Sequence, residues 1–155
     1  MKKLRILSIR KNTDPYVEML EKRYLKRLKP HFDVSIEDIR QKYSSELPHP
    51  VMLRQEAELF EGKLSGKETR ILLDEDGHEM PSVEFSRWLD KLREHKKELV
   101  FLIGGPYGFD EMFKKRAEAT LSLSRMTMTH EFARLFLLEQ LYRSCDLSSG
   151  GSYHK

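Results

Sequence analysis

The sequence predicts an α/β fold, a mainly parallel sheet with helices on both faces. Short apolar runs such as "LRILSI", "TRILLD" and "ELVFLI" alternate along the chain with stretches whose apolar residues recur at helical spacing. Strands separated by helices require crossover connections, and crossovers give parallel strands covered on both sides. No repeat, low-complexity linker or break in composition divides the 155 residues, so one domain over 1–155 is expected.

Taken in order, Leu4–Ile9 reads as a strand. Asp14 offers an N-cap and Pro15 a first helical position, and Tyr16, Val17, Leu20, Tyr24 and Leu28 form a helical stripe up to Pro30. Phe32–Ile39 alternates as a half-buried strand does, and residues 40–50 are polar and proline-marked, hence a loop. Pro50–Leu64 is an amphipathic helix through Leu53, Ala57, Phe60 and Leu64, stopped near Gly66. Thr69–Asp74 is a strand that "EDG" turns, and Ser82 is expected to cap a helix through Phe85, Trp88, Leu89 and Leu92. Glu98–Ile103 is the most hydrophobic strand. After it Asp110 opens a short helix, Thr120–Ser124 is a strand, and "THEFARLFLLEQLYRSC" is a long helix. The last nine residues, "LSSGGSYHK", form a polar tail.

The chain is 39% hydrophobic and 34% charged, which fits a folded domain rather than a disordered one. No apolar run is long enough to span a bilayer, and the start "MKKLRILSIRK" lacks a long apolar signal region, so a cytosolic protein is expected. The single cysteine, Cys145, excludes an internal disulfide and a cysteine zinc cluster, and with the scattered histidines predicts no metal site. The net charge of +3 is uneven. Residues 1–30 hold ten Lys/Arg against three Asp/Glu, among them Arg10, Lys11, Lys22, Arg23, Lys26 and Arg27. Such a segment serves as a solvated helix face or as a surface for RNA.

The stretch "FLIGGPYGFD" runs a strand into two glycines, a proline, a tyrosine and a third glycine. It contains no G-x-G-x-x-G, and "GKLSGKE" at Gly62 is one residue short of a P-loop with Glu68 in place of the metal-binding hydroxyl. By itself the stretch is a strand-to-helix turn. Alternatively, glycines there let backbone groups face a ligand, and an adenine edge suits such groups. In parallel sheets, ligands bind beyond the C-terminal strand ends, which draws attention to the loops after Leu73, Ile103 and Leu123. His130 and Arg134 follow the last of these, one helical turn apart, in what is otherwise a capped helix start at Thr129. The terminal "SYHK" reads as a frayed end, or as a functional tail.

Together, "FLIGGPYGF", "LSLSRMTMTHEFARLFLLEQLYRS" and the terminal "YHK", with "LRILSIRK" and "LLDEDG", resemble the ribosomal RNA large subunit methyltransferase H family over essentially the whole chain. That family is of the SPOUT class, and the resemblance implies a C-terminal trefoil knot that no periodicity shows. It implies S-adenosylmethionine as cofactor. The implied substrate is N3 of a pseudouridine in helix 69 of 23S rRNA, methylated on assembled ribosomes by a homodimer. Carried over, the cofactor pocket falls on Leu73, Gly104, Gly105, Leu123, Ser124, Arg125, Met126, Thr127 and Met128, with Gly108 supporting it. Arg143, Tyr153 and His154 are placed at the transferred methyl, and His130 and Arg134 toward the RNA with Lys22, Arg23, Lys26 and Arg27. The family commonly has proline before the histidine of its "TxPH" stretch, where this chain has Thr129, so the loop lacks a fixed φ.

Methyl transfer from a sulfonium needs an aimed nucleophile and no metal. The imide N3 must lose its proton, to His154 as the candidate base or to water, with Arg143 or Arg134 steadying the anion or holding a phosphate and Tyr153 stacking on the uracil or hydrogen-bonding it. The long helix 130–145 can bury its apolar residues in the monomer core or against a partner copy; the resemblance implies the partner. Two other functions compete, a non-catalytic RNA-binding or ribosome assembly protein of the same fold and an α/β enzyme for another adenine-containing ligand. The glycine loop and the Tyr-His tail are more than pure binding requires.

Overall fold

Five strands, all parallel, lie in the order β2-β1-β4-β3-β5. They are β1 (Lys2–Ile9), β2 (Phe32–Ile39), β3 (Thr69–Glu79), β4 (Leu99–Ile103) and β5 (Ala119–Ser122). The helices between them are α1 (Pro15–Leu28), α2 (His49–Glu61), α3 (Ser82–Glu94), α4 (Glu111–Lys114) and α5 (His130–Ser148). This is a computed structural model, and it describes residues 2–9, 14–41, 44, 46–95 and 97–155.

The period-2 alternation of each strand divides the core. Leu4, Ile6, Ile71, Leu99 and Phe101 face α1, α3 and α5, where they meet Leu28, Phe85, Leu89, Leu137, Leu138 and Leu141. Leu7, Ile9, Leu72, Val100 and Leu102 face the other way, toward Phe60 of α2 and Phe113 of α4. Central β4 is covered on both faces, which is why it reads as an unbroken apolar run. The predicted fold class is therefore observed, with helices on both faces.

Several local expectations are revised. Pro81, not Ser82, precedes the first residue of α3; Ser82 is already helical, and its hydroxyl donates to Gln140 Oε1 at 2.7 Å instead of capping. Helix α2 ends at Glu61, short of Leu64. Strand β3 does not stop at "EDG". It pairs with Leu121 through Leu73 and again through His78, so residues 74–77 bulge beyond the ladder. Gly77 sits so close to β5 that a Cβ there would stand 2.7 Å from the Thr120 carbonyl oxygen. Asp14, Asp110 and Thr129 cap α1, α4 and α5 as their side chains predict.

Helix α5 takes in part of the expected polar tail, running on to Ser148. Its inward side is core, yet Phe132 and Phe136 stay 62% and 40% exposed and line a groove with Leu20 and Tyr24 of α1. The two helices pack together and are tied by Arg134, which is 2% exposed. Arg134 Nε and Nη2 donate to the two carboxylate oxygens of Glu21 at 2.6 and 3.0 Å, and Nη1 donates to Asp38. That guanidinium is held inside the fold, so the expectation that Arg134 contacts RNA is corrected: its role is to fix the first turns of α5 against α1 and β2.

Candidate functional site

All five strands run the same way, so their C-terminal ends collect on one edge. There the bulge of β3 and the loops after β4 and β5 converge around a cleft of about 700 Å³. Leu73, Gly104, Gly105, Leu123, Ser124, Met126, Thr127 and Met128 line it, and so do Gly108 and His130. Arg125 does not: its side chain is 84% exposed and its Nε lies 3.5 Å from Glu79.

The β4 loop owes its shape to its glycines. The Gly108 N–H donates to the Gly105 carbonyl at 3.3 Å, and Gly108 has φ +82°, a left-handed conformation that favours glycine. A Cβ on Gly104 would stand 2.8 Å from the Gly108 carbonyl oxygen and 3.2 Å from the Phe109 ring. Gly104 is thus required by the loop's own closure. The β5 loop is held by Ser124, whose hydroxyl accepts the Met126 N–H at 3.0 Å, and by Thr127, whose hydroxyl donates to Glu75 Oε2 at 2.8 Å. His130 opens α5 in the cleft wall with Nδ1 buried and without a hydrogen-bond partner among the described residues.

Sequence reasoning missed the polar wall of this cleft. Asp74, Glu75 and Asp76 stand on the β3 bulge, and Lys114 Nζ lies 3.2 Å from Asp74 Oδ2. The only signal was "DED", which reads as a turn until the bulge places it over the strand ends. The other loop considered, "GKLSGKE", is already filled. The Glu68 carboxylate accepts the Ser65 N–H within the same turn. Burial pushes the Glu68 carboxyl up, but backbone hydrogen bonds at Ser65, Glu68 and Gly66, together with the Ser65 hydroxyl, outweigh it and bring it down to about 2.

The C-terminal residues form a separate cluster on α5. The Tyr153 N–H donates to Asp146 Oδ2 at 2.8 Å and its hydroxyl donates to Glu139 Oε1 at 3.2 Å, so the tail is docked rather than frayed. Arg143 binds Glu139, stacks 4.7 Å from the Tyr153 ring centre and reaches His154 Nδ1 at 3.3 Å. Burial, then hydrogen bonding with Tyr24 and the Glu139 charge, push the Tyr153 phenol up to about 12, so it is protonated at neutral pH. Arg143, Tyr153 and His154 do not line the cleft of their own chain. An apolar groove of about 480 Å³, lined by Tyr24, Phe132, Leu135 and Phe136, shares Met128 with the cleft and Glu139 with the tail cluster.

Of the basic segment, Lys22, Arg23, Lys26 and Arg27 are exposed on α1. Lys22 pairs with Glu18 at 3.1 Å, and Arg27 lies over the Tyr142 ring at 5.4 Å. Arg10 and Lys11 lie outside the described residues. Among the described residues, no three His, Cys, Asp or Glu side chains gather to hold a metal, and no helix is long and apolar enough to cross a membrane.

A family model described as "Predicted SPOUT methyltransferase" matches residues 2–154. A ribosomal RNA large subunit methyltransferase H from Cytophaga hutchinsonii is 38% identical over 153 residues, spanning 98% of this chain and 99% of the relative. This chain belongs to the ribosomal RNA large subunit methyltransferase H family. A family member from Bacteroides fragilis is 40% identical over 133 residues, 84% of this chain and 85% of the relative. Among solved structures, the SpoU methyltransferase AviRb from Streptomyces viridochromogenes in complex with AdoMet aligns with 96% of this chain and 58% of its own. Its TM-score is 0.46, at 14% identity. In this member of the methyltransferase H family, the glycine-bearing loop after β4, the serine-bearing loop after β5 and the acidic bulge of β3 form one cleft, and the residues of the C-terminal tail do not line it.

Proposed function

We propose that this protein transfers the methyl group of S-adenosylmethionine to ribosomal RNA, at N3 of a pseudouridine in helix 69 of 23S rRNA in the assembled ribosome. The observation that carries the reading is the convergence of the β3 bulge and the loops after β4 and β5 on one cleft at the strand ends. Leu73, the Gly104–Gly105 backbone and residues 123, 124 and 126–128 hold the cofactor. The N3 lone pair forms the new N–C bond as the methyl–sulfur bond breaks, its electrons staying on sulfur to give S-adenosylhomocysteine, while the N3 proton leaves to solvent or to a base. In this reading the chain is one SPOUT domain over 1–155, with α5 threaded into a trefoil knot.

The contacts of the tail support a role for it in the transfer. Arginine donates and never accepts, so His154 Nδ1 is the acceptor for Arg143 and its neutral tautomer carries the proton on Nε2. In this arrangement His154 is a donor. It steadies the uracil oxygens beside the developing N3 anion rather than taking the proton, and Arg143 sets its tautomer. Because the tail stands apart from its own cleft, a second copy supplies it: two chains pair through the exposed apolar residues of α1 and α5, and each offers Tyr153 and His154 to the other's cleft. Lys22, Arg23, Lys26 and Arg27 hold the RNA backbone, and His130 faces the substrate.

The test is radiolabelled methyl incorporation into ribosomes lacking the modification, beside calorimetry with S-adenosylhomocysteine. The wild type is expected to label 23S rRNA. A chain lacking residues 153–155 is expected to keep its cofactor affinity and lose about 100-fold or more in single-turnover rate. Ribosome binding with no cofactor affinity and no transfer would instead identify a non-catalytic assembly protein.

A further inference from the structure

The cleft has two unlike rims. On the α1/α5 side it runs into the apolar groove through Met128. On the α2 side its rim is Tyr107, at the tip of the glycine loop, which methyl transfer by itself leaves without a task. The Tyr107 ring stacks on His49 at the start of α2, with centroids 3.6 Å apart and planes 25° apart. Neither ring is buried: Tyr107 is 51% exposed and His49 is exposed too. The backbone beneath Tyr107 is a closed turn. Pro106 presets φ just before Tyr107, and the Gly108 N–H to Gly105 carbonyl hydrogen bond closes the turn that carries both. A stacked aromatic pair, open to solvent at the mouth of a cleft, offers a π-face to a flat ligand.

We propose that Tyr107, backed by His49, is a stacking platform for a nucleobase of the RNA substrate. The inference rests on the methyl-transfer reading above. A base whose ring atom is to meet a sulfonium inside a cleft has to leave its own stack, and an aromatic face beside the cleft replaces the stacking that the RNA loses. The position fits RNA better than either alternative occupant. A second copy seated on α1 and α5 covers the opposite side of the sheet from α2 and leaves Tyr107 open. The cofactor's adenine belongs against the loop backbone, whereas Tyr107 stands at the loop's outer tip, half in solvent.

The experiment compares the wild type with Tyr107→Ala, Tyr107→Leu and Tyr107→Phe in ribosome binding, single-turnover methyl transfer and S-adenosylhomocysteine calorimetry. Base–aromatic stacking is expected to make both the alanine and the leucine variants need about 10-fold more ribosomes for half-saturation, with Tyr107→Phe within about 2-fold of wild type. Cofactor affinity and sedimentation are expected to match the wild type in all three. His49→Ala is expected to show the same loss, smaller. The leucine variant keeps the bulk of the side chain and so separates lost stacking from a collapsed loop. Unchanged ribosome binding in Tyr107→Ala would overturn the platform, as would a parallel loss of cofactor affinity or of the dimer. A wild type that binds ribosomes without methylating them would sink the methyl-transfer reading alone, because the binding comparison would still decide the platform.

Discussion

Two glycine-bearing loops in this chain look like ligand loops, and only one is open. In "GKLSGKE", before β3, the Glu68 carboxylate occupies the backbone amides around Ser65. In "GGPYG", after β4, the backbone closes on itself through Gly105 and Gly108 but leaves a cleft of about 700 Å³ beside it. The difference lies in which end of the sheet each loop occupies. The first enters a strand, where the chain turns back over its own side chains. The second leaves a strand where two neighbouring loops also leave theirs. Glycine content marks backbone that approaches something closely, and the topology decides whether that something is the protein or a ligand.

The comparison breaks most forcefully at Gly104. A Cβ there meets the Gly108 carbonyl oxygen at 2.8 Å, so Gly104→Val must reshape the loop. Calorimetry is expected to show at least about a 100-fold loss of S-adenosylhomocysteine affinity, equivalent to roughly 3 kcal/mol. Wild-type affinity in the folded variant would remove this loop from the cofactor site.

A smaller and opposite pattern is expected at Glu68. Glu68→Gln gives up charge-assisted hydrogen bonds, a loss on the order of 2 kcal/mol in urea unfolding, while cofactor affinity stays unchanged. The Glu68 carboxyl titrates lower in the folded chain than in the unfolded one, from 4.5 down to about 2. Its stabilisation is therefore complete above about pH 4.5 and disappears as pH falls toward 2. The stability gap between the wild type and Glu68→Gln should narrow over that window, and a gap independent of pH would show that the carboxylate charge is not what fills the turn.

The smallest effect is expected at Thr127, which joins the β5 loop to Glu75 across the cleft wall. Thr127→Val removes one exposed hydrogen bond, so melting should move by less than about 1 kcal/mol. Cofactor dissociation, followed by stopped flow, is expected to quicken a few-fold because the loop loses its tether. An unchanged dissociation rate would mean that the Glu75–Thr127 bond plays no part in holding the cofactor.

Strand–helix alternation, the doubly buried β4, and the caps at Asp14, Asp110 and Thr129 were legible because each depends on residues adjacent in sequence. So was the choice of loops, since a parallel sheet sends its C-terminal strand ends to one edge. Ser82 misled because a hydroxyl before an apolar stripe caps in most sequences, and here it has Gln140 of α5 as partner. Arg134 misled for a related reason. A cation one turn after a cleft histidine reads as a contact for RNA, while Glu21, 113 positions earlier, buries it. Nothing local to "THEFAR" announces that carboxylate.

The sheet, its covering helices, the presence of a glycine turn and the family to which the chain belongs were readable from the residues alone, because local propensity and short motifs suffice for these. It took the packed chain to show that Arg134 is internal, that "DED" bulges over the cleft and that Glu68 fills its own turn. The same holds for the tail, which docks on Glu139 and Asp146 away from its own cleft. Each of these depends on which distant side chain a polar group meets once the chain has packed. The free energy of a buried or bonded polar group is set by that partner, and spacing along the chain does not specify it.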